Sequence, residues 1–336
     1  MIKLHKVDLS KFDLRTDLII ENDINRINNH HYEYGDISVD DILLKKNNSL
    51  GKKAGKYVTI SYKDITDSDN FNKVLNVFKK ELIKVMEYCH IKDNDKCLII
   101  GLGNRKIISD ALGSKCLEDI IVTRHLYLLN NVDKRYRNTA ILEPNVIGVT
   151  GIDSFEIIKK TIEEIKPDFV IAIDSLCAAD IKRLTKTIQI TSSGITPGSG
   201  IGNTRCELSR ETLGINTIAI GVPTVVDSTV IVSDTIQYLL KKISYLKNSH
   251  SITDKLKPIN KINYLNNEKE LNEGEKKEVL GYIGLLNNNE LKSLIWEVLS
   301  PIEANMIVTV KEIDFIMDKL GKLLSEGINK VIHHID

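Results

Sequence analysis

The chain has 336 residues, 42% hydrophobic and 27% charged, a balance ordinary for a globular protein and long enough to bury a large core without staples. Lysine plus arginine and aspartate plus glutamate each number 46, so the formal net charge is +0, which disfavours a nucleic-acid binder working through bulk basic charge. The five cysteines, Cys89, Cys97, Cys116, Cys177 and Cys206, are odd in number and lack CxxC spacing, which points to a reducing cytoplasm rather than to disulfides or structural zinc.

Residues 1–50 are polar, rich in Asn and Asp and weakly periodic, and read as an arm that packs late or loosely. They contain no apolar h-region of a secretory signal, and no apolar run in the chain is long enough for a bilayer. A GKKAG turn at 51–55 leads to an alternating strand at 57–62. Residues 70–88 carry apolar side chains at Val74, Val77, Phe78, Leu82 and Val85, the spacing of an amphipathic helix. The run CLIIGL (97–102) predicts a buried strand, 110–129 a helix, 145–150 a strand and 154–165 a helix. DFVIAI (168–173) predicts a strand buried on both faces, followed by a helix at 175–184. Strands at 187–191 and 217–221 and a long helix at 227–246 follow. The Lys- and Asn-rich stretch 247–274 is the best linker candidate, with helices at 276–299 and 311–332 beyond it. Strands alternating with helices imply an α/β fold of three layers: a mostly parallel central sheet, helices on both faces and a C-terminal helical appendage.

In such a sheet ligands bind beyond the carboxyl ends of the strands. That selects residues 101–110, Asp174, the run TSSGITPGSGIGN (191–203) and the run GVPTVVD (221–227). GLGN (101–104) is only half a dinucleotide fingerprint, since Lys106 stands where the third glycine belongs, and the glycine-rich run lacks the Lys-Ser/Thr of a P-loop. Asp110 and Asp174 each sit at or just past an apolar strand, where a carboxylate is costly unless it caps a helix or serves a site. Two such acids meeting at one edge can share a proton, one acting as acid and the other as base toward water, which is a hydrolase arrangement. No GxSxG or HExxH occurs; His125 reads as a structural side chain, Cys116 and Cys177 as buried apolar residues, and Ser192 and Ser193 have no histidine placed to activate them.

Ordered segments along almost the whole chain carry a family likeness. They include LRTDLIIE (14–21), GKKAGKYVTI (51–60), LIIGLGN (98–104), DALGSK (110–115), KPDFVIAIDSL (166–176), GITPGSGIGN (194–203), ELSRETLGI (207–215) and IAIGVPTVVD (218–227). In these the chain resembles the germination proteases of endospore-forming bacteria, the endopeptidases that degrade small acid-soluble spore proteins. The resemblance implies a fold related to hydrogenase maturation proteases and an atypical aspartic-type peptidase whose catalytic carboxylates are Asp110 and Asp174, the same two that strand-end placement selects. It also implies a zymogen that loses a propeptide (1–17) by self-cleavage between Asp17 and Leu18, an acid followed by aliphatics and Glu21 as in the spore-protein sites. A catalytic domain (18–246, with its N-terminal arm), a linker (247–274) and a C-terminal helical segment (275–336) packed on the same domain complete the expected organisation. A homotetramer in the cytoplasm of the forespore and spore core is implied, with no cofactor, metal, membrane or direct nucleic-acid partner. The chain departs from the family pattern at Arg105, Ser109, Ser114, Glu143, Ser192 and Thr196, none of which is either carboxylate.

The mechanism expected is that one ionised acid draws a proton from water while the other, protonated, polarises the scissile carbonyl. Backbone N–H groups near Gly194, Gly198 and Gly200 are the oxyanion candidates. The alternatives are a metal-assisted peptidase, with carboxylates at the sheet edge holding a divalent ion, and a non-catalytic spore-protein binding module in which both acids are helix caps.

Overall fold

A computed structural model describes residues 16–22, 29–46, 52–130, 132–133, 135–198, 206–248, 264–266, 269–302, 304 and 306–335. The strands are β1 (Asn29–Tyr34), β2 (Ile37–Leu44), β3 (Gly55–Ser61), β4 (Cys97–Gly101), β5 (Thr139–Leu142), β6 (Phe169–Ala178), β7 (Thr187–Thr191), β8 (Asn216–Asp227) and β9 (Ile307–Val308). The helices are α1 (Ser68–Tyr88), α2 (Leu112–Leu117), α3 (Arg124–Leu128), α4 (Ile147–Thr150), α5 (Ser154–Ile165), α6 (Arg210–Leu213), α7 (Ser228–Asn248), α8 (Glu273–Leu280), α9 (Asn288–Leu299) and α10 (Ile313–Ile332). The chain divides into a larger unit (Arg15–Ala178, Lys182–Val225 and Thr309–Asp336) and a smaller one that includes Ala179–Ile181 and Val226–Val308.

The larger unit is α/β, built on a sheet of order β1-β2-β3-β7-β8-β6-β4-β5. The sheet is mixed. Parallel pairing joins β6, β4 and β5, whereas β1, β2, β3, β7 and β8 are joined antiparallel in turn. Strand alternation sorts the side chains. Ile99, Ile171, Ile173, Ile188, Ile190, Ile218, Ile220 and Val222 face one core with α1, α2 and α10, whereas Leu98, Ile100, Val170 and Ala172 face another with Ile158 and Ile162 of α5. This gives the helix–sheet–helix layering.

α1 starts where the Asp67 carboxylate accepts from Asn70 N at 3.1 Å, and its apolar stripe Val74, Phe78, Leu82, Val85 buries against the sheet. Gly327 of α10 admits the Phe78 ring, since a Cβ there would lie 2.5 Å from it. In the smaller unit, Asn272 and Asn287 cap α8 and α9, with Glu275 and Glu290 reaching back to the cap backbone. Buried Lys292 donates to the Ala179 carbonyl at 2.9 Å.

Several expected elements differ, each for a local reason. The arm holds a β1–β2 hairpin that extends the sheet at β3, and buried Glu81 of α1 binds it by accepting from Tyr32 Oη at 2.6 Å. Residues 110–129 are not one helix: α2 and α3 are separated by a β-branched run, Ile120 to Thr123, and Ile121 N there donates to Asn329 Oδ1 at 3.0 Å. The strand expected at 145–150 lies at β5, before Pro144, and 147–150 is the short α4. The helix expected at 175–184 is instead the continuation of β6 to Ala178: its pairing with β4 ends at Ile173, but Leu176 packs on Gly221 of the neighbouring β8 and Cys177 exchanges hydrogen bonds with Asp17. The helix expected at 276–299 is broken at Gly281 into α8 and α9. Of the expected segment 275–336, α9 belongs to the smaller unit and α10 to the larger. Residues 1–15 of the expected propeptide and most of the expected linker lie outside the described residues. Among the described residues no helix is long and apolar enough to cross a membrane.

The C-terminus is fixed by a buried polar knot. His333 donates from Nε2 to the Ile121 carbonyl at 2.9 Å and accepts at Nδ1 from Arg137 N at 3.2 Å, an arrangement only the neutral ring can make. Burial holds its pKa below the usual value, ahead of the opposing bond to Ile121. The unfolded chain therefore takes up a proton near pH 6.5 that the folded chain resists, so stability is full above that pH and falls below it by up to about 1.4 kcal/mol per pH unit. Thermal unfolding between pH 8 and 5 should show this fall, and His333→Gln should flatten it; an unchanged slope in the variant removes His333 from the effect.

Candidate active site

The two acids selected from the sequence reach the same edge of the sheet by different routes. Asp174 lies within β6, not at its end, and is 5% exposed. Alternation puts it on the face of Val170 and Ala172, and its Oδ1 accepts from Ser175 N at 2.9 Å. No helix follows it, so the capping role is ruled out: a carboxylate is kept inside an apolar strand for another reason.

Asp110 ends a 3-10 turn (Ile108–Asp110) after β4. Where β4 ends, Leu102 N donates to the Ile173 carbonyl at 2.8 Å, so the chain leaves the sheet beside the residue that precedes Asp174. At Gly103 (φ +96°) it doubles back, and a Cβ there would lie 2.0 Å from the Asp110 carbonyl oxygen and 3.0 Å from its Oδ1. Asn104 N donates to the Asp110 carboxylate at 2.8 Å. Thr224 of β8 donates to the Ser109 carbonyl at 2.6 Å. The N-cap of α2 is Ala111, with no side-chain cap, so Asp110 is not the cap either. The Asp110 loop is thus moored to β4, and through it to β6, and to β8.

Three of the unusual residues meet next to this loop. Glu143, just after β5, accepts from buried Ser114 at 2.8 Å and lies 3.4 Å from the Arg105 guanidinium, which also lies 3.5 Å from Glu118. These departures are partners of one another and tie the loop after β4 to the end of β5.

On the face of Asp174, a cavity of about 220 Å³ is lined by Asp17, Tyr57, Leu176, Gln189, Thr191, Gly194, Thr196, Ala219 and Gly221, among others. The expected cleavage point therefore sits in a cavity floored by the central strands. Asp17 N donates to the Cys177 carbonyl at 3.2 Å, and Cys177 N donates to Asp17 Oδ2 at 2.8 Å. The Gln189 side chain donates to the Asp17 carbonyl at 3.0 Å and accepts from Ile19 N at 2.8 Å. Leu18 and Ile19 are buried, and Glu21 lies 3.7 Å from Arg183.

Of the expected oxyanion glycines, Gly194 lines this cavity and has φ +88°, its backbone pressed so close to Leu208 that a Cβ would lie 2.1 Å from the Leu208 carbonyl oxygen. Gly198 also has a left-handed φ of +72° but is not among the lining residues, and Gly200 lies outside the described residues. Cys116 and Cys177 are buried, and burial pushes the Cys116 thiol far up, away from nucleophilic use. His125 is exposed on α3, and Ser192 Oγ accepts from Lys56 N at 2.9 Å. Among the described residues no three His, Cys, Asp or Glu side chains group as metal ligands. Gln189 was missed from the sequence. Its signal was present, a lone amide in the otherwise apolar TIQI, turned away from the core that takes Ile188 and Ile190.

Comparison with known proteins gives one family. The model described as germination protease matches residues 11–335. A germination protease of Bacillus velezensis is 41% identical over 99% of this chain and 96% of its own length. Those of Bacillus licheniformis (40%; 98% of this chain, 95% of the relative) and Bacillus subtilis (38%; 99% and 96%) are similar at full length. A solved NiFe hydrogenase maturation protease from Thermococcus kodakarensis overlaps 42% of this chain and 80% of its own at 20% identity, with a TM-score of 0.28, too low to carry weight.

The Gly103 turn is the local test of this geometry. Gly103→Ala should destabilise the protein in urea unfolding by about 1–3 kcal/mol more than Gly151→Ala. Both glycines have positive φ, but a Cβ at Gly151 meets nothing within 4 Å, so the difference isolates the collision with Asp110. Equal losses would mean that Gly103 is needed only for its backbone angle.

Proposed function

This chain belongs to the germination-protease family, and from that premise we propose that it is a self-processing endopeptidase of the spore core that opens small acid-soluble spore proteins. It is made as a zymogen and removes residues 1–17 by cutting Asp17–Leu18. Asp110 and Asp174 divide the work on one water molecule. The ionised acid takes a proton from water as its oxygen attacks the carbonyl carbon; the protonated acid donates to the carbonyl oxygen, and a proton returns to the departing amine. This makes the enzyme an aspartic-type peptidase of unusual fold.

The observation that carries this reading is the burial of Asp174 inside a strand with no helix to cap, beside a tightly turned loop that brings a second acid to the same edge. The seating of Asp17 in a cavity on the Asp174 face supports self-processing, since a chain that trims itself must bring its own peptide to its own acids.

The full-length chain, incubated at mildly acidic pH and weighed, should lose residues 1–17. Asp110→Asn and Asp174→Asn should each stay folded, with thermal midpoints near that of the parent, and slow this loss by roughly 10²–10⁴-fold. A variant that processes at the parental rate removes its residue from the mechanism.

A further inference from the structure

Gln189 holds both sides of the bond that self-processing breaks. Its Nε2–H donates to the Asp17 carbonyl oxygen at 3.0 Å, and its Oε1 accepts from Ile19 N at 2.8 Å. The Asp17 carbonyl is the carbonyl of the Asp17–Leu18 peptide. We propose that Gln189 is the oxyanion donor of this cleavage and that the Cys177 N–H, 2.8 Å from Asp17 Oδ2, selects an acidic residue before the scissile bond.

The placement follows from the sheet. Gln189 of β7 is the register partner of Gly221 of β8, and a Cβ on Gly221 would lie 2.5 Å from the Leu176 side chain of β6. Gln189, Gly221 and Leu176 therefore form one row across three strands on one face, with Leu176 lying over Gly221 and Asp17 lining the same cavity. Asp174 is two residues from Leu176 on the same strand and the same face, about 6.6 Å along it. Leu18 and Ile19, at 0% and 1% exposure, anchor the chain beyond the bond. The peptide is thus gripped by its side-chain acid, by the carbonyl that must accept charge and by the next amide but one.

In the reaction the water oxygen bonds to the Asp17 carbonyl carbon, and the carbonyl electron pair moves onto the oxygen that faces Gln189. The C–N bond to Leu18 then breaks, and the water proton taken by the carboxylate pair passes to the Leu18 nitrogen. The amide is fixed before the reaction starts, so its dipole need not reorganise as charge develops. It is neutral and does not compete with the acids for protons.

The inference rests on Asp17–Leu18 being the bond cut, and the test separates the two. In the full-length chain, the first-order rate of losing residues 1–17 is measured by intact mass at several protein concentrations. Gln189→Glu keeps the acceptor for Ile19 and removes the donor; Gln189→Met keeps the volume and removes both, and serves if the carboxylate disturbs the fold. With thermal midpoints near that of the parent, each variant should process roughly 10²–10³-fold slower at the same bond. A folded variant within threefold of the parental rate overturns the oxyanion assignment and leaves the processing site standing. A parental chain cut at another bond overturns the processing site and this assignment with it. Asp17→Ala should slow cleavage, whereas Asp17→Glu should restore most of it; equal rates for the two would overturn the acid selection by Cys177.

Discussion

At the end of β4 the chain turns where there is no room for a side chain. Gly101 faces the Gly113 carbonyl so closely that a Cβ would lie 2.6 Å from it, and at Gly103 the same construction gives 2.0 Å to Asp110. Close packing of backbone on backbone is what only glycine permits. Here it seats α2 flat on β4 and folds the following loop back on itself. The placement of Asp110 against the strand that carries Asp174 is a consequence. Leu102 N bonds to the Ile173 carbonyl on one side of the turn, and Asn104 N bonds to Asp110 on the other. Two acids 64 positions apart in the numbering are thus linked through backbone hydrogen bonds of a tight turn rather than through flexible side chains.

The two faces of the sheet do different work. One is filled by aliphatic side chains of β3, β6, β7 and β8 against α1 and α10 and is closed to water. The other, over the same strands, carries Asp174, Gln189 and Thr191 among the small residues Ala219 and Gly221 and opens into the cavity that holds Asp17. A strand with one wholly apolar face can tolerate this, because the first core supplies the stability while the second face gives up apolar area to polar groups that are hydrogen-bonded. Gln189 illustrates the balance. It is 6% exposed, and both ends of its amide are satisfied by the segment 17–19.

Much of the fold was legible because its signals are local. The apolar stripe of α1, the alternation of β3 and the continuous runs of β4 and β6 are patterns of period 3.6, 2 and 1 that each segment carries by itself. The errors came where neighbours decide. The segment after Asp174 reads as a helix by its alanines and its spacing, yet it stays extended beside β8, with Cys177 bonded to the distant Asp17. The hairpin of β1 and β2 hides behind charged residues such as Asp40 and Asp41, which become tolerable only when Asn29, His31 and Lys56 bond to them. Ser114 and Glu143 looked like isolated departures and turn out to be bonded to each other.

What the sequence determined by itself is the chemistry available and its approximate address: two acids that each follow an apolar run, glycines where turns must be tight, an acid followed by aliphatics at the expected cut, and the likeness that joins these segments into one family. Each is a matter of residue type and spacing along the chain. What only the tertiary structure decided is which groups face one another. Whether Asp174 caps a helix or lies in a strand, whether Asp110 folds toward it, and whether the amide of Gln189 meets the carbonyl of Asp17 all depend on long-range pairing between β4, β6, β7 and β8. That pairing is set by the burial of two cores together and is written in no single segment.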